Sequence, residues 1–117
     1  MKENVLKEKS SQFAVRIVLF CRELKSRKVE APMISQILRC GTSIGANIEE
    51  ASAGISKKEF SMKLSISYKE AKETVFWLRL FRDSGTISSD EYNSLFNECD
   101  EILRILWVIL KKTRIGK

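Results

Sequence analysis

Histidine is absent from the 117-residue chain, which removes the commonest general base and the commonest metal ligand together. Ser43 therefore has no imidazole to activate it, and no environment that would depress a cysteine pKa is visible. Glu70 and Glu73 have a spacing like that of di-iron bundle carboxylates, but the Glu-x-x-His elements such sites need cannot be built. Gly41-x-x-x-Gly45 is followed by no Lys-Ser or Lys-Thr pair, so it is not a phosphate loop. These absences lead to the expectation of a non-enzymatic protein with no cofactor and no metal.

Proline occurs once and glycine five times, with no low-complexity run, so no linker divides residues 1–117 and a single domain is expected. Cys21, Cys40 and Cys99 are odd in number, widely spaced and set among apolar residues, a pattern of buried free thiols rather than disulfides. The longest apolar stretches are broken at Arg16, Arg22 and Arg104, well short of the roughly 20 residues that span a bilayer. Met1-Lys2-Glu3-Asn4 leads into a charged segment and not into a secretory signal, and a cytoplasmic protein without membrane contact is expected.

What is present is helical periodicity. Hydrophobic residues make up 44% of the chain and charged residues 31%, the balance of a packed globular domain. Leu6, Phe13, Ile17, Phe20 and Leu24 form a seam over about residues 5–28, while Val15, Val18 and Leu19 point away from it. Pro32 suits the first turn of a second helix over 33–53, striped by Ile34, Ile37, Leu38, Gly41, Ile44, Gly45 and Ile48, with Gly54 as its stop. Residues 40–47 are small on nearly every side. Two glycines inside a helix cost roughly 1 kcal/mol each against alanine, so Gly41 and Gly45 imply close approach by a neighbouring helix.

Ser56-Lys57-Lys58-Glu59 and Ser88-Ser89-Asp90-Glu91 are capping boxes, with Ile55–Phe60 and Ile87–Tyr92 as hydrophobic staples. They open helices over 57–84 and 89–112, the first of which ends at Gly85. The third helix has the seam Phe60, Leu64, Ser67, Ala71, Thr74, Leu78 and Phe81, whose small members are expected to meet the glycines of the second helix. The fourth has Leu95, Cys99, Ile102, Leu106 and Leu110, with Ile105, Trp107 and Val108 directed elsewhere. The fold expected is all-α, an antiparallel up-and-down four-helix bundle. The apolar surplus on its first and last helices argues for self-association.

The net charge of +6 is unevenly spread: residues 85–110 hold one basic and five acidic groups, and residues 111–117 four basic and none acidic. On the third helix Lys57, Lys72 and Arg79 fall within about 60° of one another, with Lys58 and Lys69 beside them and Glu59, Glu70 and Glu73 on the far side. Together with Lys111, Lys112 and Arg114 of the basic tail, these are the candidate nucleic-acid contacts. A solvated lysine face gives the same pattern, since the stripe has few aromatics and no RNA-binding signature.

Gln36-Ile37-Leu38-Arg39-Cys40-Gly41-Thr42-Ser43-Ile44-Gly45-Ala46-Asn47-Ile48-Glu49-Glu50-Ala51 and the segment from Lys63 to Leu80 resemble signatures of the 23S rRNA intervening-sequence protein family. Asp100-Glu101-Ile102-Leu103 and Lys112-Thr113 extend the resemblance over roughly residues 13–113, with Cys40 standing where serine is usual. The resemblance implies a four-helix bundle assembling as a homopentamer, encoded within bacterial ribosomal RNA genes or elsewhere on bacterial chromosomes. It also implies kinship with the accessory protein of diversity-generating retroelements, a basic pentameric barrel that binds nucleic acid and a reverse transcriptase. The family pattern falls on Arg39, Ser43, Asn47, Glu50, Glu70, Glu73 and Trp77, which with Gly41 and Gly45 are read as packing and assembly positions. Arg39, Ser43 and Glu50 in particular are expected at a subunit contact. The function expected is a homo-oligomeric bundle binding RNA or DNA through basic helix faces. The alternative is a structural protein–protein interaction module with no nucleic-acid role.

Overall fold

The computed structural model describes residues 2–54 and 56–114, and of Lys2 and Arg114 the backbone alone. Four helices account for nearly all of it: α1 (Lys2–Ser26), α2 (Ala31–Ser52), α3 (Lys57–Asp83) and α4 (Ser89–Arg114). The contacts descend along one helix as they ascend along the next. Gly45 lies against Ser10 and Gly41 against Ile17, Arg39 reaches Glu70 while Glu50 reaches Lys63, and Tyr68 meets Trp107 where Ser61 meets Thr113. Each helix thus runs back along its predecessor. α4 closes on α1 to complete a rod of 46 × 22 × 21 Å.

The chain ends its helices by local chemistry. At α3 the N–H of Thr86 reaches the Phe81 carbonyl at 2.8 Å and that of Gly85 reaches Arg82 at 3.0 Å, with Gly85 at φ 78°. This is a Schellman motif with glycine in the left-handed position. The same two bonds close α1, from Val29 to Leu24 and from Lys28 to Lys25, but here Lys28 carries the left-handed turn at φ 62°. α1 therefore stops at Ser26, short of the expected Lys28. α2 stops at Ser52 under an Ala53 cap, one residue before the expected glycine. The second capping box is complete, with Ser88 Oγ accepting from the Glu91 N–H and Glu91 accepting from the Ser88 N–H. In the first, Ser56 Oγ accepts from the Glu59 N–H. The staple expected of Ile55 lies outside the described residues.

The seams of α3 and α4 are buried as their spacing predicts, except that Phe60 is half-buried. α2 differs from expectation. Cys40 and Ala51 join the core while Leu38 turns outward at 38% exposure, because the buried arc is centred on Ile44 and leaves Leu38 at its edge. The glycines also differ: a Cβ on Gly41 would meet Ile17 at 2.9 Å, and one on Gly45 the Ser10 carbonyl at 3.3 Å. They admit α1, not the small residues of α3. Those small residues face the adjacent stripe of α2, where Ser67 Oγ donates to the Ile44 carbonyl at 2.9 Å and Thr74 contacts Cys40. The apolar circumference of residues 102–110 is mostly consumed inside the chain, since Ile102, Leu103, Leu106, Ile109 and Leu110 are all buried. α4 is wedged between α3 and α1 and needs a broad apolar arc for both. Trp107 on α4, with Val15 and Leu19 on α1, stays exposed.

Candidate functional site

α3 carries charge on two flanks, and the fold treats them oppositely. On the flank facing α2, Arg39 bridges two carboxylates one turn apart on α3, reaching Glu70 at 3.0 Å and Glu73 at 2.7 Å. Arg39 and then Trp77, whose indole N–H donates to Glu73 at 3.1 Å, hold the Glu73 carboxyl below its usual range. Three turns further along α2, Glu50 accepts from Lys63 at 2.6 Å. Ser43 donates to the Arg39 carbonyl and Asn47 to that of Ser43. The structure thus places Arg39, Glu50, Glu70, Glu73 and Trp77 together along the α2–α3 seam of one chain.

The uneven charge of the sequence resolves in the same way elsewhere. Three of the five acidic groups of α4 are matched by basic groups of α1 and of the turn after it: Glu101 with Lys9 at 3.1 Å, Glu98 with Arg16, and Glu91 with Arg27, while Asp100 pairs with Arg104 of α4 itself. Arg27, then the Ser88 backbone N–H, pulls the Glu91 carboxyl down to about 2.

The other flank of α3 has no such neutralisation. Lys57, Lys58, Lys69, Lys72 and Arg79 are exposed, and none forms an ion pair with a carboxylate among the described residues. From Lys58 to Arg79 the row runs about 31 Å at 1.5 Å per residue. Lys111 and Lys112, on the adjoining end of α4, are likewise exposed and form no ion pair among the described residues. The side chain of Arg114 lies outside the described residues. A row of unpaired cations attracts polyanions, because each phosphate contact releases condensed counterions.

Beside this row, between α3 and α4, opens a groove of about 390 Å3 bordered by Tyr68, Lys72, Asp100, Arg104 and Trp107 over Leu103. Sequence reasoning assigned Trp107 to the apolar surplus and Arg104 to a break in it, and gave neither Arg104 nor Tyr68 a place in a site. Their spacing, Tyr68 to Lys72 and Arg104 to Trp107 to Lys111, sets each group on one helical face, but only the register of α3 against α4 joins the two groups. The three cysteines stand apart from all of this. They are buried and free, and burial first of all pushes Cys21 and Cys40 up to about 11 and Cys99 up to about 12. They remain protonated thiols at neutral pH and are poor nucleophiles or metal ligands. Among the described residues no cluster of three or more Cys, Asp or Glu is placed to hold a metal ion, and no helix is long and apolar enough to cross a membrane.

The profile of the 23S rRNA-intervening sequence protein family matches residues 2–108. The chain belongs to that family. Among solved structures, it is similar to the crystal structure at 1.70 Å of a protein of unknown function from the S23 ribosomal protein family of Bacteroides thetaiotaomicron VPI-5482. The two are 46% identical with a TM-score of 0.92, over 95% of this chain and 99% of that one. No curated protein matches the chain.

Proposed function

We propose that this member of the 23S rRNA-intervening sequence protein family is a non-enzymatic, homo-oligomeric bundle of the cytoplasm that binds RNA, or another nucleic acid, through the outward flank of α3. The observation that carries the reading is the contrast in pairing. Carboxylates meet the cations of the α2–α3 seam and most of those facing α4, whereas Lys57, Lys58, Lys69, Lys72 and Arg79 meet none among the described residues. An oligomer repeats that row by symmetry, and phosphate contacts then add. Val15 and Leu19, 58% and 55% exposed on the outer face of α1, supply apolar area for assembly. Five is the subunit number that the sequence resemblance implies.

The reading is tested by salt-dependent RNA binding of the wild type and of Lys57→Glu/Lys69→Glu/Lys72→Glu, with mass measured by light scattering. Weakened binding by an intact oligomer supports it. Unchanged affinity in an intact oligomer overturns the nucleic-acid role, and a monomeric wild type at micromolar concentration overturns the assembly. The exposed apolar residues of α1 also suit the second reading, a module that docks a protein partner and ignores nucleic acid. That reading predicts no RNA binding at any salt concentration.

A further inference from the structure

We propose that the groove between α3 and α4 is a stacking site for one unpaired base of a single-stranded nucleic acid, with Trp107 as its platform; this rests on the nucleic-acid reading above. Trp107 is 48% exposed, a large aromatic area to leave in water. Its ring leans on Tyr68 with centroids 6.2 Å apart and planes 40° from parallel, so the pair forms an open wedge. Leu103 closes the floor. A flat, apolar, two-faced ligand suits such a wedge, and every nucleobase offers a π-face regardless of sequence.

The rim selects for flanking phosphates. Lys72 borders the groove without a carboxylate partner among the described residues, and Lys69 lies one turn away on the same flank. Asp100, the single acid of the groove, accepts from Nε of Arg104 at 2.8 Å. That bond engages Nε of the guanidinium, and the Arg104 side chain is 81% exposed. The geometry suits a backbone passing over the rim while one base turns inward. A duplex is excluded, since its bases are stacked on both faces.

The test uses Trp77→Phe, which leaves Trp107 as the sole indole of the full-length protein. Emission is followed during titration with oligouridylate of about ten nucleotides, within the usual single-strand site size, and with an abasic ribose-phosphate strand of the same length. The expected result is quenching by the base-bearing strand alone, with about tenfold tighter binding than the abasic strand, a difference that Trp107→Ala removes. Equal binding of both strands without quenching overturns the stacking site and leaves the phosphate-binding reading standing. No binding of either strand overturns both. Absence of quenching together with a Trp107→Ala protein of smaller oligomeric mass overturns the site by assigning the ring to a subunit contact.

Discussion

The two flanks of α3 differ in one respect that decides their roles. Toward α2, Glu70 and Glu73 meet Arg39, and Lys63 meets Glu50, so charge is spent on holding two helices in register. Toward solvent and α4, Lys57, Lys58, Lys69, Lys72 and Arg79 meet no carboxylate among the described residues. One helix therefore carries a structural charge set and an available one, about 40–180° apart around its axis. Counting charge along the chain cannot separate them; pairing can.

The comparison breaks most severely if α2 is displaced, because the paired flank exists only while α2 lies against α3. Gly45→Leu would drive a side chain into the Ser10 backbone, where even a Cβ approaches the carbonyl to 3.3 Å. We expect a loss of about 3 kcal/mol in chemical denaturation, the upper part of the overpacking range. The outward flank is addressed by the triple reversal of Lys57, Lys69 and Lys72. RNA affinity should fall at least about tenfold, or ~1.4 kcal/mol, with a melting temperature close to that of the wild type.

Smaller effects sharpen the contrast. Arg39→Met removes the shared partner of Glu70 and Glu73, and since Arg39 is half-exposed the expected cost is under about 1 kcal/mol, with RNA affinity unchanged. Glu91 provides a pH test on the α1–α4 side. Its folded carboxyl is pulled down to about 2 from an ordinary value of 4.5 by Arg27 first, so its contribution is complete above about pH 4.5 and fades as pH falls toward 2. The stability gap between wild type and Glu91→Gln should therefore narrow over that window in acid denaturation.

Much of this architecture was legible in the sequence, and the reasons are specific. The capping boxes at Ser56 and Ser88 and the seams of α3 and α4 are local patterns that the chain carries within itself. The partner of Gly41 and Gly45 was not legible. A small residue announces close approach but not by whom, and two adjacent stripes of α2 are only about 60–100° apart, so α1 and α3 were exchanged. Lys28 was read as helix because no glycine marks the turn there. The lysine row was visible as a row, but whether it was paired was not. That depends on α4 taking its counter-charges from α1, a contact between residues some 65–90 positions apart.

The central claim is that position, and not net charge, makes the outward flank of α3 the binding surface. Two triple variants separate these: Lys57→Glu/Lys69→Glu/Lys72→Glu, and Arg22→Glu/Lys25→Glu/Lys28→Glu at the exposed end of α1 and the turn after it. Each exchange removes two charge units, so both variants fall from +6 to 0. RNA affinity is measured for both at one salt concentration with oligomeric mass confirmed. The account predicts that the α3 variant loses binding while the α1 variant stays within about threefold of wild type once long-range attraction is screened by salt. Equal losses in the two, or no loss in either, would contradict it.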